Sequence, residues 1–117
     1  MTEVPFVDMN VPRLEQAVER LIPAFHPQRI VLYGSRARGD AREDSDYDVA
    51  IIVETLAPWW ERGVVAQRAL RGVGLPLEIL VLTPTEFEER RYVPGSVAWE
   101  IERDGGCLLY TSPSPRD

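Results

Sequence analysis

The sequence predicts one α/β domain in which helices cover a small β-sheet, and three observations predict this fold class. The chain has 117 residues, a length that suits a single hydrophobic core. Apolar runs with the character of buried strands alternate with longer segments whose apolar residues recur at helical spacing. Glycine, proline and capping residues separate these segments. Helices and strands that alternate in this way are typical of an α/β domain.

The first half of the chain predicts a helix, two strands and a short helix between them. Asn10 can cap a helix whose apolar residues recur on one face, and Pro23 and Pro27 bound it. Residues 29–33 form an apolar run that stops at Gly34, which is typical of a buried strand followed by a turn. The other elements expected here are a short helix, a charged loop and a second strand, at residues 35–38, 39–45 and 47–53.

The second half predicts a helix, a third strand and two further helices. Residues 58–72 favour a helix that a pair of glycines stops. Residues 75–82 predict the third strand, which carries Glu78 inside an otherwise apolar run. Residues 83–86, Thr-Pro-Thr-Glu, begin a helix with a capping hydroxyl, a proline in the first turn and a glutamate three positions after the cap. The last predicted helix covers residues 96–104.

The charge of the chain excludes some classes of function. The net charge is −6, whereas proteins with a broad nucleic-acid-binding face are usually basic. All 13 basic residues are arginines, so no lysine is available as a catalytic base or Schiff-base former. The start, MTEVPFVDMN, lacks the basic and apolar regions of a signal peptide, and no apolar run is long enough to span a membrane. We therefore expect a soluble cytoplasmic protein.

The final segment, CLLYTSPSPRD at residues 107–117, differs in character from the rest of the chain. It resembles the in-frame translation of a transposase-type sequencing adapter, so we expect a non-native tail. The domain itself is then expected to occupy residues 1–106. A natural Ser/Pro-rich disordered tail is the alternative interpretation.

A glycine-serine pair follows the first predicted strand and indicates a phosphate site. Gly34 has no side chain, so a phosphate could come close to the backbone there. The hydroxyl of Ser35 could donate a further hydrogen bond, and backbone N–H groups at the start of a helix favour an anion. Arg36 and Arg38 lie in the same turn and could add charge-assisted contacts.

Three carboxylates on the second and third strands indicate a site for a divalent cation. Asp46 and Asp48 are two residues apart, so their side chains leave the same face of a strand. Neighbouring carboxylates repel unless a cation lies between them, and Mg²⁺ prefers oxygen ligands of this kind. Glu78 could complete a trio if the two strands are neighbours. Such a trio supports two-metal catalysis of phosphoryl transfer, and a carboxylate could also accept the attacking proton.

These motifs together resemble a known enzyme superfamily. Gly34-Ser35, ten further residues and Asp46-x-Asp48 match the G-S-x10-D-x-D signature of the DNA polymerase β-like nucleotidyltransferases. The segment GSRARGDAREDSDYDVAIIV resembles in particular the minimal nucleotidyltransferases, small prokaryotic proteins that often pair with a HEPN-domain partner. The resemblance extends from about Val11 through PLEILVLTPTEFEER to GSVAWEIERDG. It implies the small mixed sheet of that fold, covered by helices.

The resemblance implies roles for the residues of the signature. Asp46 and Asp48 would bind two Mg²⁺ ions, and Gly34 and Ser35 would hold the triphosphate of ATP. Glu78 would take the position of the third catalytic carboxylate, where the family commonly has aspartate. Its longer side chain is the one departure from the family pattern in these motifs.

The resemblance also implies a reaction, the transfer of a nucleoside monophosphate, most often AMP from ATP, to an acceptor hydroxyl. In the better understood members that acceptor is a tyrosine of the HEPN ribonuclease partner, and its modification silences the toxin. The chain lacks room for an acceptor-binding domain, so we expect a partner protein to supply the acceptor. Two alternatives remain open. One is transfer to a small molecule or an RNA end, and the other is a non-catalytic antitoxin that acts by contact.

Simpler interpretations apply to several of these residues. For Arg36 and Arg38 the alternative is pairing with acidic residues of a solvated loop, and for Glu78 it is a surface position on an edge strand. Trp59 and Trp60 are expected to pack, although adjacent tryptophans cannot both face one core from a helix. An exposed one would be a candidate anchor for a partner.

Overall fold

The computed structural model of the chain describes residues 11–110. Helices and strands alternate through most of this range, as the sequence predicts. In chain order the elements are α1 (Val11–Phe25), β1 (Arg29–Tyr33), α2 (Ser35–Arg38), β2 (Tyr47–Ile52), α3 (Trp59–Ala69), β3 (Leu77–Leu82), α4 (Pro84–Arg90), α5 (Val97–Asp104) and β4 (Gly106–Tyr110).

The strands form a four-stranded mixed sheet in the order β3-β2-β1-β4. β1 is antiparallel to both β2 and β4, whereas β2 and β3 run parallel and are joined through α3. A parallel pair needs a crossover of this kind, because its second strand must begin at the same end of the sheet as the first. The predicted fold class, a small mixed sheet covered by helices, is confirmed.

Helices cover both faces of the sheet. On one face α1 and α3 pack around fully buried residues that include Leu14 and Tyr47. On the other face α4 and α5 contribute a second cluster, in which Phe87 is buried. Alternate strand residues point to opposite faces, so Asp48 and Glu78 lie on the second face, with α4 and α5.

Helix α1 continues past the proline that was expected to end it. Pro23 lies inside the last turn, and the helix ends at Phe25. His26 then adopts a left-handed backbone, with φ of 50°. A proline so close to the end removes only one helical hydrogen bond, and the buried face of the helix outweighs that loss. The predicted cap, Asn10, lies outside the described residues.

The predicted start of α4 is confirmed. The Thr83 hydroxyl accepts a hydrogen bond from the backbone N–H of Glu86 at 3.1 Å, and the Glu86 carboxylate accepts one from the N–H of Thr83 at 2.9 Å. This reciprocal pair is a capping box with proline in the first turn. The hydroxyl of Ser96 caps α5 in the same manner, by accepting from the N–H of Trp99.

The edge strand β4 was not among the predicted elements. It comprises Gly106–Tyr110 and pairs with β1, and its Leu108 and Leu109 are buried in the core. Residues 107–117 were expected to be a non-native tail, so no strand was predicted there. The strand shows that residues 107–110 complete the sheet, and their origin stays a prediction.

The packing expected of the adjacent tryptophans is wrong. Trp59 is 77% exposed and Trp60 is 60% exposed. The buried face of α3 is formed instead by Arg62 and Ala66, which are four residues apart and therefore lie on one face of the helix.

Candidate active site

The glycine-serine turn connects β1 to α2. Gly34 has φ of 75° and ψ of −157°, a backbone conformation that glycine adopts and other residues rarely do. Ser35 begins the single helical turn of α2, where the first N–H groups have no helical acceptor. Gly39, with φ of 85°, ends that turn. The backbone therefore presents the Ser35 end of α2 next to the last residue of β1.

The Asp48 carboxylate lies against this turn. Asp48 pairs with Tyr33 in the antiparallel register of β1 and β2, which brings it beside the residue that follows Tyr33. A Cβ atom at Gly34 would collide with Oδ2 of Asp48. The structure thus brings together the two halves of the sequence signature, the glycine-serine turn and the second aspartate. Gly34 is required both by its backbone conformation and by the close approach of the carboxylate.

Asp48 and Glu78 form a carboxylate pair across neighbouring strands. They are register partners in the parallel pairing of β2 and β3, so their carboxyl groups are neighbours on one face of the sheet. Burial raises the pKa of Asp48, and the nearby charges of Glu78, Asp46 and Glu100 raise it further. Glu78 is exposed on the edge strand, as the simpler interpretation held, yet it also faces Asp48.

The fit of these residues to a divalent cation is uneven. Within residues 11–110, no group of three His, Cys, Asp or Glu side chains is arranged closely enough to hold a metal ion. Burial and the nearby charges of Glu78 and Asp46 nevertheless disfavour the charged form of Asp48, and a cation beside these carboxylates would offset that cost. Asp46 is exposed just before β2 and acts on Asp48 through its charge. The pair fits Mg²⁺, and the third ligand from Asp46 stays a prediction.

Arg36 braces the loop that leads to β2. Its guanidinium donates to the backbone carbonyls of Glu43 at 3.2 Å and Ser45 at 2.9 Å, and it lies 4.3 Å from the ring centroid of Tyr47. These contacts fix the chain immediately before Asp46. A role of Arg36 in binding nucleotide phosphates stays a prediction, since its guanidinium donates these two hydrogen bonds to the loop.

Arg38 joins α2 to α5. It donates to Asp40 at 3.2 Å, as the simpler interpretation expected of the charged loop, and to Glu100 of α5 at 3.0 Å. Both ion pairs are partly exposed, so each contributes little to stability. The pair with Glu100 instead fixes the position of that side chain on the face of the sheet that carries Asp48.

Two residues near the carboxylates were missed by sequence reasoning. Burial raises the pKa of Tyr33 to about 12, and the charges of Asp48, Glu78 and Glu100 contribute to the rise. Tyr33 could have been suspected, because its hydroxyl ends an otherwise apolar run directly before Gly34. Glu100 gives no local signal, because only the packing of α5 brings it near β1 and β2.

The family of the chain follows from comparison with known proteins. A family model described as the nucleotidyltransferase domain matches residues 11–103. The chain belongs to this nucleotidyltransferase domain family. The matched range contains the glycine-serine turn and all three candidate carboxylates. None of the curated proteins matches the chain.

Solved structures share the fold of this nucleotidyltransferase domain. A crystal structure of a proposed nucleotidyltransferase from Sulfolobus solfataricus is similar with a TM-score of 0.61 and 18% identity, over 92% of this chain and 93% of that one. A second structure, described as a toxin-antitoxin with AMP-PNP, is similar with a TM-score of 0.57 and 19% identity, over 88% of this chain and 75% of that one. At these identities the similarity shows the fold alone.

The described helices also bear on the expectation about membranes. Within residues 11–110, each helix is too short or too polar to cross a lipid bilayer.

Proposed function

We propose that this nucleotidyltransferase domain transfers AMP from ATP, with Mg²⁺, to a hydroxyl of a partner protein. The observation that carries the proposal is the contact of the Asp48 carboxylate with Gly34, because it puts a cation ligand beside a turn suited to a triphosphate. The family supports nucleotidyl transfer. The structural neighbour described as a toxin-antitoxin with AMP-PNP supports an adenine nucleotide and a protein partner.

In this proposal, one end of the site binds the phosphates of ATP and the other end binds Mg²⁺. The Gly34-Ser35 turn holds the β- and γ-phosphates, and Asp46, Asp48 and Glu78 would hold Mg²⁺. Bound Mg²⁺ supplies charge stabilisation at the α-phosphorus and on the leaving pyrophosphate. Asp48, at the centre, would hold its cation between the turn and β3, where that charge could bind the α-phosphate.

The transfer itself forms one phosphorus–oxygen bond and breaks another. The acceptor oxygen attacks the α-phosphorus, and the bond from that phosphorus to the oxygen bridging the β-phosphate breaks. Pyrophosphate leaves with the electron pair, and the acceptor proton passes to the Glu78 carboxylate. The product is a phosphodiester between AMP and the acceptor hydroxyl.

The nature of the partner forms part of the proposal. A HEPN-domain toxin whose tyrosine accepts AMP is the partner implied by the resemblance to minimal nucleotidyltransferases, and the chain would then be its antitoxin. ATP as substrate places this activity in the cytoplasm. Transfer to a small molecule or an RNA end uses the same site with another acceptor.

The proposal is tested by following label from ATP. The chain is incubated with ATP labelled at the α-phosphate, Mg²⁺ and the protein encoded by the adjacent gene, with total RNA as a second acceptor. We expect label on the protein, none with EDTA, and none with the variants Asp46→Asn and Asp48→Asn. Label on RNA alone would replace the protein acceptor with an RNA end. Neutralisation of the partner by both Asn variants would instead favour an antitoxin that acts by contact.

A further inference from the structure

A groove lies between β3 and the helices on the face of the sheet that carries Asp48 and Glu78. Its volume is about 660 Å³, and its apolar walls include Leu80 and Leu82 of β3, Val97 and Ala98 of α5, and Trp59 of α3. Trp59 is 77% exposed and Val97 is 44% exposed, so large apolar side chains meet solvent here. Exposed apolar surface of this kind commonly marks a binding site.

Two of the elements that line the groove, β3 and α5, also carry acidic residues near the site. Leu80 follows Glu78 by two residues on β3, so the side chains share one face of the strand about 7 Å apart. Val97 precedes Glu100 by three residues on α5, so they are neighbours on the helix surface. Glu100 in turn acts on the pKa of Asp48. The groove is therefore lined by residues whose neighbours on β3 and on α5 are Glu78 and Glu100.

The geometry of the transfer reaction predicts from which side of the site the acceptor hydroxyl approaches. The attacking and leaving oxygens are roughly in line at the phosphorus. Gly34 lies at the end of β1, Asp48 on β2 and Glu78 on β3, and these strands are consecutive in the sheet. With pyrophosphate held at Gly34, the acceptor hydroxyl approaches from the side of β3. The groove extends from that side.

Arg62 and Ser96, two of the polar residues that line the groove, are already engaged within the chain, whereas Glu89 and Arg90 line it as exposed side chains. Arg62 donates to the carbonyls of Ala57 and Val81 and to Glu86. The Ser96 hydroxyl is hydrogen-bonded to the backbone of α5 and of the preceding turn. A nucleoside base needs hydrogen-bond partners for its ring edge, whereas apolar side chains do not. Engaged polar groups between exposed apolar walls thus suit an apolar peptide segment better than a base.

We infer that this groove, the acceptor groove, binds an apolar segment of the partner protein next to the hydroxyl that receives AMP. The inference rests on the proposed function and adds the surface that recognises the acceptor. Trp59 is its central anchor, since a large aromatic side chain beside a groove contributes most to such interfaces. Glu89 and Arg90 line the groove as well and supply one charge of each sign.

The test uses two groove variants and one matched control. Trp59→Ala removes an exposed side chain. Val97→Asp puts a charge into the apolar wall at the first turn of α5, where an acidic residue is favourable for the helix. Trp60→Ala is the control, because Trp60 is also exposed and lies in the same helical turn but does not line the groove. Thermal unfolding confirms that each variant is folded.

The readouts separate the acceptor from the nucleotide. With the partner protein as acceptor, we expect Trp59→Ala and Val97→Asp to raise the KM for that protein roughly tenfold or more, with the KM for ATP within about twofold. Trp60→Ala should match the wild type. In the inactive Asp48→Asn background, Trp59→Ala should weaken binding of the partner by a similar factor.

Other outcomes overturn the inference in distinguishable ways. Wild-type kinetics in both groove variants, with Asp48→Asn still inactive, would overturn the groove and leave the proposed function intact. A raised KM for ATP with an unchanged KM for the partner would mean that the groove holds the nucleoside. A wild-type chain that labels no protein would overturn the proposed acceptor and the groove together.

Discussion

Oδ2 of Asp48 occupies the space beside Gly34 that the Cβ of any other residue would need. This relationship joins two parts of the chain that are separated by a charged loop, and it depends on the antiparallel pairing of Tyr33 with Asp48. It also explains why the turn and the aspartate are needed together. The Asp48 carboxylate can approach the backbone of the turn only because Gly34 has no side chain.

Gly34→Ala should therefore weaken nucleotide binding by more than backbone strain alone can explain. The new methyl group displaces the Asp48 carboxylate, and φ of 75° strains the alanine by about 1–3 kcal/mol. Gly72→Ala is the matched control, because Gly72 has φ of 86° and nothing lies within 4 Å of a Cβ there. We expect both variants to unfold more easily, and only Gly34→Ala to bind ATP roughly tenfold or more weakly by calorimetry. Equal ATP affinity in the two would contradict the contact.

Asp48→Asn should abolish activity and stabilise the fold in the absence of metal. Transfer should fall on the order of 10²–10⁴-fold, because the carboxylate acts directly on the reacting groups. The raised pKa of Asp48 means that its charged form is unfavourable in the folded chain. Protonated Asp48 therefore favours the folded chain at any pH below the ordinary pKa of an aspartate. This contribution to folding stability is lost as the pH rises through the raised pKa of folded Asp48.

Thermal unfolding in EDTA measures this effect. Asp48→Asn should melt above the wild type at pH 7, and the difference should shrink toward pH 4. Added Mg²⁺ should raise the melting temperature of the wild type and leave that of Asp48→Asn nearly unchanged. A wild-type chain that is the more stable of the two in EDTA at pH 7 would contradict the repulsion among these carboxylates.

Glu86→Gln should reduce stability at neutral pH through the loss of a partly buried ion pair. Arg62, which is buried, holds the pKa of Glu86 below its ordinary value, and the N–H of Thr83 lowers it further. The charge of Glu86 contributes fully above the ordinary pKa, and the contribution is lost as the pH falls through the lowered pKa. We expect a loss of about 1 kcal/mol in urea unfolding at pH 7 that disappears near pH 3. Glu89→Gln, an exposed change on the same helix, should have little effect at either pH.

Leu108→Ala tests the contribution of β4 to the core. Leu108 is 1% exposed, so truncation should lower the free energy of unfolding by about 2–4 kcal/mol. Cys107→Ala is the control on the same strand, because Cys107 is exposed. Denaturant unfolding would distinguish them. A Leu108→Ala chain as stable as Cys107→Ala would mean that β4 contributes little to the fold, as expected of a non-native tail.

Local patterns predicted most of the elements because their causes are local. The capping box of Thr83 and Glu86 needs only four consecutive residues, and the apolar run before Gly34 forms β1 nearly as written. The predictions failed where contacts between distant parts of the chain determine the structure. Pro23 stays inside α1, both tryptophans remain exposed on α3, and residues 107–110 add a strand to β1.

The sequence by itself determined the fold class, the position of the glycine-serine turn and the presence of acidic residues that could bind a cation. Those properties depend on residue type and spacing along one segment. Only the tertiary structure decided which acidic residues are neighbours. The register of β2 and β3 places Asp48 beside Glu78, and the packing of α5 places Glu100 near Asp48. The acceptor groove is likewise formed by four separate elements, α3, β3, α4 and α5. Contacts between segments depend on packing in three dimensions, and no local pattern encodes them.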